Sequence, residues 1–267
     1  MHHFVLIRYS VYAKTKKSWR IGRGVQHDEY KEALFEPSRL ELHQKLFFDV
    51  TIPSLVAANN GNVTVLVFTS ESLPELYLAS LKAELDKYPW MRLVALPENI
   101  DLPASMNSEV EGELKRSGRS ACYSTVRLDD DDGIGVNFFT ELEKKYMSPK
   151  FYGFSISFAL GYFGVFDGER FESFHSKRFP MCAQGLTFVN YYESSDHSFH
   201  DENVTIFSLG SHVKVDSVRP VVVDSRNPMY IRTVHAAADT AAGREIDKLK
   251  KIPEVSPTEV KSAVNFN

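Results

Sequence analysis

The chain has 267 residues, 43% of them hydrophobic and 25% charged, so it can bury a sizeable core and is neither disordered nor fibrous. Its 31 basic and 35 acidic residues give a net charge of -4, which is too balanced for the positive field that non-specific nucleic-acid binding needs. Two cysteines exclude a disulfide framework, and the N-terminus resembles neither a signal peptide nor a membrane span, so we expect a cytoplasmic chain without a transmembrane segment.

The first half of the chain alternates strand-like and helix-like segments, a pattern typical of a mostly parallel sheet covered by helices. Hydrophobic runs predict four strands, at 4–11, 63–68, 92–96 and 123–128. Helical stripes predict helices between and after them, at 39–50 with a continuation to 58, between 72 and 88, at 107–119 and from 138 to 146. Capping-box spacing predicts that the first two helices start at Ser38 with Glu41 and at Ser72 with Glu75.

The second half changes character, because few helical stripes separate its apolar and aromatic runs. The runs at 151–158, 162–166, 185–189 and 229–234 predict an antiparallel extension of the same sheet. Beyond Ala236 the chain is charged and then contains Pro253 and Pro257, which predicts a helix followed by a loose tail. We therefore expect one main domain over residues 1–240 and a C-terminal helix and tail over 241–267.

Four consecutive acids, Asp129 to Asp132, directly follow the fourth predicted strand. This places them at a carboxyl end of the sheet, where open α/β sheets bind ligands. Two carboxylates about 4 Å apart repel by about 1 kcal/mol even in bulk water, so four in a row require water or a cation. If the strand pleat continues, Arg127, Asp129 and Asp131 point to the same side, where the carboxylates could converge on one metal ion.

Several kinds of site have this composition. The plainest is a solvated turn, since Asp and Gly favour turns. An EF-hand calcium loop is excluded by register, because aligning Gly133 with the invariant glycine puts Leu128 at the first ligand position and Phe139 where the bidentate Glu belongs. A two-metal nuclease or phosphatase usually draws its ligands from several distant segments. The remaining hypothesis is an Asp-x-Asp site in which a divalent cation bridges the carboxylates and a substrate diphosphate.

The segment at 125–132, Thr-x-Arg-Leu-Asp-Asp-Asp-Asp, resembles the donor site of GT-A type glycosyltransferases. It is especially similar to the Arg-Leu-Asp-x-Asp-Asp signature of the bacterial "putative rhamnosyltransferase" family. The family's Arg-Phe-Ser motif near the start of the chain is also matched, with Tyr9 in place of Phe, and so are later blocks of the family. The matching segments are Arg8-Tyr9-Ser10, Gly-Leu-Thr-Phe at 185–188, Ser-His-x-x-Val at 211–215 and Tyr-Ile-Arg-Thr-Val-His at 230–235. The resemblance covers about residues 1–240.

The resemblance implies an α/β chain with the GT-A type nucleotide-diphospho-sugar transferase fold, a central mixed sheet flanked by helices. It implies a metal-dependent glycosyltransferase, using Mn²⁺ or Mg²⁺, whose catalytic domain spans 1–240. The enzyme would move a sugar, rhamnose by the family's label, from a nucleotide-diphosphate donor to a hydroxyl of a saccharide or lipid-linked saccharide. Bacterial surface polysaccharide synthesis, at the inner face of the membrane with peripheral contact, would be its setting.

The resemblance also carries over residue roles at the acidic segment. Asp129 would contact the donor ribose or the metal, and Asp131 and Asp132 the metal and the sugar. Arg8 and Ser10 would lie where the nucleotide rests, at the end of the first strand. Arg127, within the motif, is assigned with them to the nucleotide sugar.

Two further residues belong to the block at 230–235. Arg232 suits a diphosphate clamp because of its planar fork, although a surface salt bridge is the commoner role of arginine. His235 would complete the metal shell or bond the diphosphate, and the alternative is a satisfied histidine at a strand end.

An inverting transfer, which we expect, needs a general base for the acceptor hydroxyl, whereas a retaining one does not. Asp196 is the predicted base, with Glu193 and His197 of the same polar loop as alternatives. The basic segment 14–23 is predicted to be a solvated loop, or else to contact an anionic lipid carrier or the donor phosphates. Two rival functions stay open: a non-catalytic sugar-nucleotide binding module and a metal-dependent phosphohydrolase.

Overall fold

The computed structural model describes residues 1–12, 27–98, 100–235 and 242–267. Within these ranges the strands are β1 (His2–Arg8), β2 (Val63–Ser70), β3 (Met91–Leu96), β4 (Ala121–Asp129), β5 (Gly133–Ile134), β6 (Phe154–Phe158), β7 (Leu160–Phe166), β8 (Phe171–Arg178), β9 (Leu186–Glu193), β10 (Ser198–Phe199), β11 (Val221–Asp224) and β12 (Tyr230–Val234). The α-helices are α1 (His27–Leu34), α2 (Pro37–Leu46), α3 (Ile52–Ala58), α4 (Glu75–Leu85), α5 (Leu102–Ser117), α6 (Phe138–Tyr146), α7 (Ala242–Leu249) and α8 (Pro257–Ala263). A π-helical turn at Phe47–Thr51 joins α2 to α3, and 3-10 helices form at Ile206–Leu209 and His212–Ser217.

The central sheet has the strand order β11-β6-β9-β4-β1-β2-β3, with β10 paired to β9. β1 is parallel to β2 and β4, while β9 is antiparallel to β4 and β6. The register places Arg8 opposite both Phe68 and Asp129, so the carboxyl ends of β1, β2 and β4 meet at one edge. This confirms the expected α/β class and central mixed sheet, and it puts the acidic segment at the edge where such sheets bind ligands.

Helices cover both faces of this sheet. On β1, Val5 and Ile7 pack into the core formed with α2, α3, α4 and α6, whereas Phe4 and Leu6 pack into the core formed with α5 and the 3-10 helix at 206–209. Alternate side chains of one strand therefore enter opposite layers. Burial on both faces explains why β2 is hydrophobic at nearly every position, as its run of β-branched residues predicted.

The expected antiparallel extension of the main sheet is only partly correct. β6 and β9 extend it antiparallel as predicted, but β7 and β12 leave it and form a second sheet with the order β5-β12-β7-β8. β7 and β12 are neighbours in this second sheet and pack closely, so that a Cβ added to Gly161 of β7 would lie 2.3 Å from the Tyr230 ring of β12. Short β5, directly after the acidic segment, pairs with β12, so the second sheet starts at the candidate site.

Both predicted capping boxes are wrong, although the helices are confirmed. At α2 the N-cap is Glu36, whose carboxylate accepts from the Arg39 backbone N–H at 2.9 Å. Pro37 takes the first helical position, where its missing N–H costs nothing, so the helix starts before Ser38 is able to cap it. At α4 the N-cap is Pro74, which makes no side-chain cap.

The C-terminal residues are not a loose tail, contrary to the expectation. Val260 of α8 and Val264, directly after it, are fully buried and lie with Phe266 in a core that also contains Leu46 and Phe174. These apolar residues recur at helical spacing and seal the end of the second sheet. The basic segment 14–23 lies outside the described residues. In the described ranges, no helix has the length and apolar character needed to cross a bilayer.

Candidate functional site

The acidic segment is a tight turn rather than a continued strand. β4 ends at Asp129, and the Asp132 N–H donates to the Asp129 carbonyl at 3.4 Å before β5 begins. The pleat that would have aligned Asp129 with Asp131 therefore stops at Asp129. As a result each of the four carboxylates contacts a different part of the molecule.

Asp129 lies between two arginines. Arg8 Nη2 is 3.3 Å and Arg127 Nη2 3.6 Å from its Oδ1, and both guanidinium groups stack on the Phe207 ring at 5.5 and 5.3 Å from its centroid. Burial opposes ionisation of Asp129, but the charges of Arg127 and Arg8 outweigh it and hold its pKa below the ordinary value. Burial and then the charge of Arg8 lower the pKa of Arg127 to about 10, so Arg127 stays protonated at neutral pH. Two cations and one anion leave this group with a net positive charge.

Asp130 holds a histidine from the first half of the chain. Its Oδ1 is 3.2 Å from His43 Nδ1, and its backbone carbonyl accepts from Thr51 Oγ1 at 3.2 Å. Burial opposes protonation of His43, but the charge and hydrogen bond of Asp130 raise its pKa. In the neutral ring that keeps its proton on Nδ1, facing Asp130, Nε2 presents a lone pair. His43 Nε2 is buried and has no hydrogen-bond partner among the described residues.

Asp131 meets a second histidine. Its Oδ2 is 2.9 Å from His235 Nε2, and the rings of His235 and His43 are 5.4 Å apart, edge to face. One possible ligand atom from each of His43, Asp131 and His235 lies within 4.8 Å of the others, a group of donors able to hold a metal ion. Burial opposes ionisation of Asp131, but the hydrogen bond and charge of His235 lower its pKa to about 2.

Asp132 clamps the turn to its surroundings instead of facing a metal. Its Oδ1 accepts from the Thr233 N–H at 2.7 Å, and its Oδ2 is hydrogen-bonded to Gln184 Nε2. Burial, followed by the charges of Asp131 and Asp129, raises its pKa well above the ordinary value. The predicted metal role of Asp132 does not fit this geometry, because both of its oxygens are occupied in a site where the side chain is 2% exposed.

Asp129 likewise lies outside the group of metal-donor atoms, and its contacts with two arginines point to the other predicted role, at the donor. The structure thus brings Asp131 and His235 together as expected and adds His43, which the sequence reasoning missed. A signal for His43 was present, since it precedes the buried Leu46 and Phe47 by three and four positions. A histidine within an apolar helical stripe faces the sheet.

Ser10 and Arg232 occupy different surroundings. Ser10 is fully buried with φ of 46°, and its Oγ accepts from Arg39 Nη1 at 3.0 Å, so it positions an arginine rather than offering a free hydroxyl to a nucleotide. Arg232 is half-buried over the Phe163 ring at 5.8 Å, and its charge helps to lower the pKa of Asp131. It therefore lies beside the acidic turn, as its predicted role requires.

Asp196, the predicted general base, lies at the wrong end of the sheet. Antiparallel register pairs Leu186 with Arg127 and Tyr192 with Ala121, so the exposed turn after β9 lies beyond the first residue of β4. Eight residue steps along β4 separate this end from Asp129 by about 26 Å. The alternatives at that turn are also engaged locally, Glu193 with Ser120 Oγ and His197 with the Tyr192 hydroxyl.

A different histidine borders the arginine pair. His212 Nδ1 donates to the Met181 carbonyl at 2.7 Å, and Met181 has a φ of 54°. Burial and then the charge of Arg127 lower the pKa of His212, so the ring is neutral at neutral pH. With its proton on Nδ1, the Nε2 atom carries a lone pair that is able to accept a proton.

Comparison with known proteins adds a family and more distant folds. A family described as "Putative rhamnosyl transferase" matches residues 2–245. A search of curated proteins finds no match. Among solved structures, Staphylococcus aureus TarS 1–349 is 10% identical with a TM-score of 0.40, and the match covers 88% of this chain and 61% of that one. A "putative glucose-1-phosphate thymidylyltransferase" from Bacillus anthracis in complex with a sucrose is 9% identical with a TM-score of 0.42, covering 95% and 98% of the two chains. A "putative nucleotide-diphospho-sugar transferase" from Desulfovibrio desulfuricans G20 is 13% identical with a TM-score of 0.32, covering 94% and 98%. The chain thus spans less than two thirds of the TarS chain.

Proposed function

The chain belongs to the family described as "Putative rhamnosyl transferase", and is thus a glycosyltransferase, and on this premise we propose a metal-dependent GT-A type enzyme that transfers rhamnose with inversion. The donor is a nucleotide-diphosphate sugar and the acceptor a hydroxyl of a saccharide or lipid-linked saccharide. We place the enzyme in bacterial surface polysaccharide synthesis, at the cytoplasmic face of the membrane. The observation that carries this proposal is the meeting of a net-positive arginine pair with an adjacent group of metal-donor atoms at the carboxyl edge of the sheet.

The arginine pair suits the diphosphate of the donor. Guanidinium groups bind phosphate oxygens through two parallel hydrogen bonds, and Arg8 and Arg127 are both largely buried, which strengthens such bonds. Phe207 fixes the planes of both side chains. Charge that develops on the departing diphosphate would meet cations already in place, the arrangement that lowers a barrier most effectively.

The acidic turn fits a divalent cation. Asp131 Oδ2 and His235 Nε2 are 2.9 Å apart. These two residues would hold an ion in place of the proton that now lies between them. When bound, such an ion would neutralise the negative charge of the leaving diphosphate. Arg232 adds a further positive charge close enough to help lower the pKa of Asp131.

The acceptor hydroxyl must lose a proton as it attacks the anomeric carbon. We assign this proton to His212 Nε2 in place of Asp196. The Met181 carbonyl fixes the proton of His212 on Nδ1, and its lowered pKa keeps Nε2 unprotonated at neutral pH. His212 also borders the arginine pair, so a base at this position would act beside the donor.

The test is titration of the purified protein with UDP, GDP, dTDP and CMP, each with and without Mn²⁺, by calorimetry. We expect Mn²⁺-dependent binding of one nucleotide diphosphate by the wild type and its loss in Asp131→Ala. Asp196→Ala is the matched control, since it removes an aspartate in the turn beyond the far end of β4, about 26 Å along that strand from Asp129. Lack of binding to every nucleotide in a folded sample would refute the proposal.

A second assay separates the rival functions. With the matching nucleotide sugar and no acceptor, slow release of nucleotide diphosphate would indicate a transferase using water as acceptor, and NMR of the released sugar would test inversion. Binding without any release would favour a non-catalytic module. Release of phosphate from simple phosphate esters would instead favour a phosphohydrolase.

A further inference from the structure

We propose that His43, oriented by Asp130, is a third protein ligand of the metal centre. With two imidazole ligands the site would prefer ions that bind nitrogen readily, such as Mn²⁺, Co²⁺ or Zn²⁺, to Mg²⁺. We infer that this site also binds its ion without a nucleotide. The inference rests on the proposed metal dependence and deepens it, because it concerns which ion binds and in what order.

The first observation is an unused nitrogen. The side chain of His43 is 6% exposed, and its Nε2 has no hydrogen-bond partner among the described residues. A buried polar atom without a partner costs roughly 1 to 3 kcal/mol, so its retention needs an explanation. Its ring faces the His235 ring, and its ligand atom belongs to the same group as those of Asp131 and His235.

The second observation is the contact that orients this ring. Asp130 Oδ1 is 3.2 Å from His43 Nδ1, and the side chain of Asp130 is 3% exposed. Histidines that bind metals usually donate their other ring N–H to a carboxylate or carbonyl, which fixes the tautomer and makes the ligating nitrogen more basic. Asp130 and Asp131 are consecutive, so one residue of the turn would bind the ion while its neighbour orients another ligand.

The third argument is the chemistry of the donors. Two imidazole nitrogens and one carboxylate oxygen suit transition ions, whereas Mg²⁺ prefers oxygen and keeps most of its water. Mg²⁺ sites also rely on one or two carboxylates completed by substrate phosphates, so they form fully only when the nucleotide arrives. Two buried histidines, one in α2 and one directly after β12, and the half-buried Asp131 of the acidic turn form a site without help from a substrate.

The experiment measures ion binding to metal-free protein without nucleotide. Free Mn²⁺ is followed by electron paramagnetic resonance, Co²⁺ by its visible absorption, and Mg²⁺ by competition. We expect the wild type to bind Mn²⁺ and Co²⁺ at least tenfold more tightly than Mg²⁺. We expect His43→Gln to weaken Mn²⁺ binding at least tenfold and to change the Co²⁺ spectrum, because one nitrogen ligand is lost.

Two further variants keep the test decisive. Asp130→Asn keeps the His43 ligand and removes only its charged partner, so we expect a loss of about tenfold, the lower end for such supporting groups, even if His43→Gln fails to fold. His197→Gln, in the exposed turn at the far end of β4, is the matched histidine control and should bind like the wild type. Thermal unfolding without metal verifies that each variant is folded.

Unchanged Mn²⁺ affinity in folded His43→Gln, or equal affinity of the wild type for Mg²⁺ and Mn²⁺, would overturn the inference. Nucleotide binding that needs a metal, in a protein that holds no ion without nucleotide, would also overturn it while leaving the proposed function intact. Tight Mn²⁺ binding through His43 without any nucleotide binding would support the site and refute the proposed function.

Discussion

The two ends of β4 carry similar side chains in opposite surroundings. At the carboxyl end, Asp130 and Asp132 are 2% exposed, and their partners lie on distant parts of the chain. Beyond the amino end, Asp196 is exposed and accepts from the Ser198 N–H only two residues away. An exposed acid whose hydrogen bond is local is typical of a surface turn. Buried acids need partners, because burial of a charge without them would be too costly, and partners from distant segments indicate a site.

The largest effect is expected at the carboxyl end of β4, from removing the proposed metal ligand Asp131. Asp131→Ala should lower kcat/KM for donor turnover by about 10³-fold, because the leaving diphosphate loses its counter-charge. Steady-state release of nucleotide diphosphate measures this. Activity within a factor of two of the wild type would show that Asp131 has no such role.

The next effect concerns stability rather than chemistry. Asp132→Ala should lower the free energy of unfolding by about 3 kcal/mol, since the Thr233 N–H and the Gln184 amide would be buried without partners. Asp132→Asn keeps the shape and the acceptor for the Thr233 N–H, and its amide N–H finds an acceptor if Gln184 turns its amide over, so it should lose less than about 1 kcal/mol. Urea unfolding measures both variants, and equal losses would contradict the clamp.

A third change tests the proposed base. His212→Gln should lower kcat/KM by about 10²-fold, since general bases contribute at least that much. In the wild type, activity should fall as the pH drops through the pKa of His212, because protonation of Nε2 removes the acceptor. Burial and Arg127 hold that pKa below its ordinary value, so the fall belongs below pH 6.5. An acid limb that survives in His212→Gln would assign it to another group.

A smaller effect is expected beneath the arginine pair. Phe207→Leu keeps an apolar side chain but removes the ring on which Arg8 and Arg127 stack. Loss of this cation–π contact, about 1 kcal/mol, should weaken nucleotide binding roughly fivefold. Calorimetry measures the affinity, and an unchanged value would show that Asp129 alone positions the guanidinium groups.

The smallest effect is expected beyond the amino end of β4, at Asp196. Asp196→Ala should leave donor turnover unchanged and alter the free energy of unfolding by no more than about 0.5 kcal/mol, as is usual for exposed loop positions. The same kinetic and urea measurements apply. A large fall in kcat/KM would restore Asp196 as the base and would contradict the separation along β4.

Much of the fold was predictable because its signals are local. The runs that became β2, β3 and β4 are buried on one or both faces. Such runs are recognisable because they are rich in β-branched and other apolar residues and are bounded by turn residues. The second sheet was not predictable from the same signals. β7 and β12 have the same apolar character as β6 and β9, and what places them in a separate sheet is the pairing of β12 with β5 and β7, which joins residues distant in the chain.

The C-terminal helix shows the same limit. Charged residues and prolines predicted a loose tail, yet Val260 and Val264 complete a core that includes Leu46 and Phe174, both more than 80 positions earlier. A short apolar pair is too weak a signal by itself, because its burial depends on whether a complementary surface exists elsewhere.

The amino-acid sequence by itself determined where the candidate site lies: a hydrophobic strand that ends in four acids places charge at the carboxyl edge of a mostly parallel sheet. Tertiary structure alone decided what each acid does. His43 reaches Asp130 across 87 positions and His235 reaches Asp131 across 104, while Asp129 and Asp132 meet other partners. Neighbours in a turn point in different directions, so their chemistry depends on which distant elements the fold packs around them.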